Sequence, residues 1–143
     1  MGTAWHNRGH DVTFGVRNPD DPKYASLSAV RVNEAAASDA EVVVLCTPWQ
    51  GTQEAVQSCG DLSGKILIDA TNPLSPDFST LEIGLTTSGA EQVADWSAGA
   101  RVCKAMNQIG APMMDGPQLP GTPMALRRGL GTDFGFGLLR GRA

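Results

Sequence analysis

Two short runs constrain this chain more than any other feature. Glu41–Cys46 (EVVVLC) and Lys65–Ala70 (KILIDA) are almost unbroken apolar, β-branched segments, the pattern of strands covered on both faces of a parallel sheet. Parallel neighbours cannot be joined by a tight turn and need a crossover of about a dozen residues or more. The interval between them holds a helix-like stretch, Thr52–Ser58. The same alternation extends along the chain. Asp11–Val16 (DVTFGV) places Val12, Phe14 and Val16 at period two, Ala29–Val32 is a short strand, and Arg101–Met106 a weaker one. Helical stretches are expected at Thr3–Arg8 (stopped by Gly9), Pro22–Ser28, Asn33–Ser38 and Ser88–Trp96. Asn33 and Ser88 are candidate N-caps, and Glu91 completes a capping-box pattern with Ser88. Strands alternating with helices predict an α/β fold, a doubly wound parallel sheet with right-handed crossovers.

Composition excludes several function classes. Of 143 residues, 41% are hydrophobic and 18% charged, which suits a globular domain rather than a disordered chain. No apolar run approaches the roughly 20 residues of a membrane helix, and MGTAWHNRGHDV lacks the apolar segment of a secretory leader. The expectation is a cytoplasmic protein with no membrane partner. A net charge of −4 argues against a nucleic-acid partner. Three cysteines without a CxxC spacing support neither a disulfide framework nor a zinc site. Charge is unevenly spread: residues 1–115 carry seven Lys/Arg against fourteen Asp/Glu, whereas 116–143 carry four Arg and one Asp. The predicted division is a body over 1–115 and an irregular Gly/Arg-rich tail over 116–143.

In an open α/β sheet, ligands bind beyond the carboxyl ends of the strands. That rule selects Val16, Arg17 and Asn18, then Thr47, Pro48 and Trp49, then Thr71, Asn72 and Pro73, and finally Asn107. The position where NAD-binding folds carry an acid for the ribose 2′-hydroxyl here reads Val-Arg-Asn. A guanidinium suits a 2′-phosphate, so NADP is favoured over NAD. A solvated surface arginine remains the alternative. Trp49 is either a flat wall beside a cofactor or a packing residue. Asn72 and Asn107 are either amides that read a carboxamide or ribose, or turn residues. Cys46 and Cys103 lie in apolar strands and are expected to be core thiols. No nucleophile motif or metal spacing is present, and hydride transfer needs neither, since positioning does most of its work.

The segments GTAWHNRGHDVTFGVRNP, VVVLCTPW, ILIDATNPL and ARVCKAMNQIG, in this order, resemble the NADP oxidoreductase, coenzyme F420-dependent family over roughly residues 2–124. The resemblance implies a Rossmann-like domain that binds NADP and passes hydride between its nicotinamide and a deazaflavin, with coenzyme F420 as second substrate. Val16, Arg17 and Asn18 then match the 2′-phosphate site. Thr47, Pro48 and Trp49 match the loop over pyrophosphate and nicotinamide ribose, and Thr71, Asn72, Pro73 and Asn107 the nicotinamide edge. Other acceptors, such as an imine or a metal-bound electron carrier, stay open, as does a fragment without activity. Full-length members resemble homodimers acting on a small-molecule substrate.

Two departures set further expectations. The family's first strand and GxGxxG fingerprint would fall ahead of Met1, so the domain is expected to lack both. After Met124 the run ALRRGLGTDFGFGLLRGRA has no family pattern, which suggests a shifted or prematurely ended reading frame, with a natural flexible basic tail as the alternative. Without a central strand, the domain is expected to be marginal, or to close the Asp11–Val16 strand directly against Glu41–Cys46.

Overall fold

The computed structural model describes residues 1–108. The part of the body beyond 108, the tail over 116–143 and the run after Met124 lie outside the described residues. Nine elements follow one another: α1 (Gly2–His6), β1 (Phe14–Val16), β2 (Val30–Val32), α2 (Asn33–Ser38), β3 (Val42–Leu45), α3 (Thr52–Gln57), β4 (Ile66–Asp69), α4 (Gly89–Trp96) and β5 (Arg101–Lys104). Every strand pair is parallel, as the β-branched runs and their helical intervals require. The expected α/β architecture is present.

The strands form two sheets. One pairs β1 with β2, and the other has the order β3-β4-β5. β1 and β3 do not hydrogen-bond to each other, so the direct closure of these two strands does not occur. Between them lies a cleft of about 730 Å³, walled by Phe14 and Val16 on one side and Val42 to Leu45 on the other. Helix α2 spans the two halves. It packs on β1 and β2, and its Asn33 Nδ2 donates to Ser58 Oγ beyond α3 at 2.8 Å. The fit over β1 is close: a Cβ on Gly15 would stand 2.9 Å from Asn33 Oδ1, so this position takes glycine.

The hydrophobic core belongs to the three-stranded half. Leu45, Trp49, Val56, Leu62, Leu67 and Val93 form one buried cluster, joined from α2 only by Ala37. Trp49 lies against Trp96, with ring centroids 5.5 Å apart. Helix α4 begins as its sequence requires: Ser88 Oγ accepts from the Glu91 amide at 3.2 Å, and the Glu91 carboxylate accepts from the Ser88 amide at 2.6 Å. Gly9 stops the chain after α1 at φ 89°, the left-handed conformation that favours glycine.

Three expectations are corrected. Pro22–Ser28 forms only a single 3₁₀ turn, Pro22–Tyr24, opened by Asp21, whose side chain accepts from the Lys23 amide at 3.1 Å. Asn33 is the first residue of α2 rather than its cap: Val32 holds the cap position without a side-chain hydrogen bond, and the Asn33 Nδ2 donates to Ser58. Cys46 is exposed at the end of β3, and Cys103 is only half-buried, because the strands carrying them are covered incompletely.

Candidate functional site

Because the strands run parallel, their carboxyl ends share an edge, and the loops leaving them meet there. Val16 and Arg17 follow β1, and Thr47 and Pro48 follow β3; all four line the cleft between the sheets. Arg17 reaches across it to Glu54 on α3, Nη1 to Oε2 at 3.6 Å. Both side chains are largely exposed, 80% and 67%, so the pair is screened and easily exchanged for another anion. Asn18 caps the turn beyond β1, its Oδ1 accepting from the Asp20 amide at 3.3 Å.

Thr47 faces Thr52, hydroxyl to hydroxyl at 3.0 Å, and Thr52 donates to the Pro48 carbonyl at 3.0 Å. This fixes the turn from β3 into α3. Trp49 goes the other way. It is 9% exposed, packed in the core and in contact range of Gly89, where an added Cβ would touch its ring at 3.4 Å. The flat wall beside a cofactor is therefore not what Trp49 supplies; the packing alternative holds.

The ends of β4 and β5 form a second cluster. Asp69, fully buried, accepts on Oδ1 from the Thr71 amide at 2.9 Å and the Thr71 hydroxyl at 2.7 Å. Its Oδ2 meets Lys104 Nζ at 2.9 Å, and Lys104 also donates to the Thr71 carbonyl. Thr71 is thus buried with its hydroxyl turned inward, and it shapes the loop instead of lining its surface. Asn72 and Asn107 are brought together. Asn72 Nδ2 donates to the Asn107 carbonyl at 3.3 Å, and Asn107 Nδ2 donates to Asn72 Oδ1 at 3.2 Å. Met106, just before Asn107, has φ 66°, a left-handed conformation that a branched-out side chain rarely adopts. Pro73 lies beside Gly89, whose added Cβ would stand 3.4 Å from its Cγ. Gln50 ties this loop to the β3 end by donating to the Leu74 carbonyl at 2.8 Å.

Sequence spacing missed Asp69, Lys104 and Glu54. A signal existed for the first two: an acid and a base interrupt apolar strands, and in the sheet they are direct register partners. Burial, foremost, pushes the Cys46 thiol up even though the residue as a whole is exposed, because its surroundings in the cleft wall exclude solvent from the charged form. Burial likewise raises Cys59. Among the described residues no group of His, Cys, Asp or Glu is placed to hold a metal ion, and no helix is long and apolar enough to cross a membrane.

Parallel α/β strands with polar groups gathered at their carboxyl ends define the class of open α/β domain that takes its ligand at that edge. Comparison with known proteins makes the class specific. The family model for NADP oxidoreductase, coenzyme F420-dependent, matches residues 1–73, and the chain belongs to that family of NADP-dependent oxidoreductases. The fold superposes on the crystal structure of a protein assigned as an F420-dependent NADP-reductase from Arthrobacter sp. FB24, with TM-score 0.73 and 30% identity over 82% of this chain and 61% of that one. A second solved structure, hypothetical protein SMa0349 from Sinorhizobium meliloti, matches with TM-score 0.55 and 26% identity over 65% of this chain and 45% of that one. Metalloreductase STEAP3 of Rattus norvegicus is 30% identical over 113 residues, 78% of this chain and 22% of that protein. The chain therefore spans less than two thirds of the length of each of these relatives.

Proposed function

We propose that the carboxyl edge of the sheets binds NADP(H), with the 2′-phosphate at Arg17 and the nicotinamide at the Asn72–Asn107 pair, and that it serves hydride exchange with a deazaflavin of the coenzyme F420 kind. The observation that carries this is Arg17: a solvent-facing guanidinium at the end of β1, held only by a screened carboxylate, where a ribose-binding acid would select NAD. The donor set fits the two ends of the dinucleotide. Arg17 offers paired N–H groups to a dianion, and the Asn pair offers amide donors and acceptors to a carboxamide. Among the described residues no glycine-rich turn of the GxGxxG type stands at a helix start, so the fit concerns these ends and not the pyrophosphate.

NADP(H), when bound, supplies the hydride. The chain's own part is positioning. Thr47 and Pro48 line the cleft with Arg17, and the loop after β4 holds the amides in one arrangement. No acid or base is needed at the reacting carbon. The similarity to a metalloreductase favours a second reading of the acceptor, a metal-bound electron carrier. One experiment tests both. The chain is titrated with NADPH and NADH, and NADPH oxidation is then followed with a deazaflavin, or with a flavin that takes the hydride and passes its two electrons singly to two ferric chelates, as acceptor. NADPH preferred over NADH supports the site, and the acceptor that accelerates oxidation decides between the readings. Equal affinity for the two dinucleotides would sink the assignment of Arg17.

A further inference from the structure

Asp69 and Lys104 occupy the last positions of β4 and β5 and are register partners across the sheet. Asp69 is fully buried, and the Lys104 side chain is 29% exposed. Stability alone does not account for such a pair, since well-packed apolar residues often replace a buried ion pair without loss. What the pair does in space is specific. Asp69 takes both the amide and the hydroxyl of Thr71, which sets the direction in which the chain leaves β4. Lys104 bridges the other Asp69 oxygen to the Thr71 carbonyl, the backbone atom just ahead of Asn72. Asn72 then meets Asn107 through two hydrogen bonds, and Asn107 reaches it only through the left-handed turn at Met106. Strain of that kind persists where surrounding contacts over-determine the backbone.

We propose that Asp69 and Lys104 are a positioning pair that holds the Asn72 and Asn107 amides as a rigid edge for the nicotinamide half of the dinucleotide; this rests on the NADP(H) reading above. Neither residue touches the ligand. Both act through Thr71 and the loop it begins. The other half of the ligand is insulated from them: Arg17 pairs with Glu54 and shares no hydrogen-bond partner with this cluster among the described residues. The pair therefore governs one end of the ligand and leaves the other alone, which a purely structural role would not do.

The test compares two ligands on the full chain. Binding of 2′,5′-ADP, which carries the adenosine phosphates without nicotinamide, is measured by calorimetry. NADPH is measured by calorimetry and by the emission of its reduced nicotinamide. Lys104→Met and Asp69→Asn are each expected to weaken NADPH about tenfold, the worth of one misplaced hydrogen bond, and to remove its change in emission. Both are expected to leave 2′,5′-ADP within about twofold, because its contacts lie at Arg17. Should Lys104→Met give no folded protein, the isosteric Asp69→Asn and a charge-keeping Lys104→Arg make the same comparison, with Lys104→Arg retaining the emission change. Equal weakening of both ligands, or of neither, overturns the positioning role while leaving the NADP(H) site standing. A wild-type chain that binds neither 2′,5′-ADP nor NADPH overturns that site and this inference together.

Discussion

Replacing Arg17 by Gln gives a prediction whose size follows from the geometry. The guanidinium is worth about 1.5–3 kcal/mol to a 2′-phosphate, the range for hydrogen bonds to charged groups. It must first give up Glu54. That pair stands at 3.6 Å with both side chains largely in solvent, and exposed pairs contribute about 0.2–1 kcal/mol. The net discrimination for NADPH is then about 0.5–2.8 kcal/mol, or roughly 2- to 110-fold in affinity. Calorimetric titration at fixed ionic strength should show Arg17→Gln losing NADPH affinity within that range while NADH changes less than about twofold, since NADH lacks the group concerned. Glu54→Gln should move NADPH the other way, tightening it by roughly 1.4- to 5-fold, because the competitor is removed. Raising the salt from low to physiological concentration should shrink both effects, as screening acts on exposed charges. An Arg17→Gln chain that loses NADPH and NADH equally, or a Glu54→Gln chain that weakens NADPH, would refute the reasoning.

Three further outcomes are expected. Leu67→Ala, at a side chain 1% exposed in the middle of β4, should lower stability by about 2–5 kcal/mol in urea unfolding, with an unchanged slope. Ser88→Ala removes an acceptor from the capping box and should cost about 1 kcal/mol in the same assay, with little effect on dinucleotide affinity. Acid should loosen the chain in two places at different pH. The Ser88 amide, foremost, holds the Glu91 carboxyl below its ordinary value of 4.5, and the Ser75 and Ser79 hydroxyls, foremost, hold Asp77 down to about 2. Both carboxylates thus favour the folded state above their unfolded values. The Glu91 contribution to α4 should be lost progressively as the pH falls below about 4.5, and the Asp77 contribution to the Ser75–Ser79 turn between about 3.8 and about 2, checked by circular dichroism and by amide chemical shifts in an acid titration.

Much of the fold was legible because it is written in local pattern. EVVVLC and KILIDA placed two strands within one residue at each end, the alternation before Val16 placed the end of a third that begins three residues later than Asp11, and NEAAAS placed α2 over the same six residues the structure shows. Ser88 and Glu91 announced the start of α4 because a cap is a contact between near neighbours. What escaped was set by distant contacts. Whether Trp49 faced a ligand or the core depended on Trp96 and Gly89, some forty residues away by sequence. Thr71 was chosen for a hydroxyl that Asp69 had already claimed. Asp69 and Lys104 lie thirty-five positions apart, and only the parallel register of β4 and β5 makes them neighbours. Glu54 lies thirty-seven positions from Arg17, and only the placement of α3 beside the end of β1 brings the two together.

The uneven core has a consequence for motion. Nearly all of the buried cluster belongs to β3, β4, β5 and the helices on them, whereas β1 and β2 hang on α2 through Ala37 and a few polar ties. Segments with few buried contacts open at lower free energy than the rest of a domain, so β1 and β2 can exchange their amides without the whole chain unfolding. Arg17 sits on the loosely held side and the Asn72–Asn107 pair on the firm side. A dinucleotide that grips both would act as a strut, adding its binding free energy where the protein has least of its own. Protection from exchange should therefore rise most at Phe14–Val16, far from the core, when the site is filled.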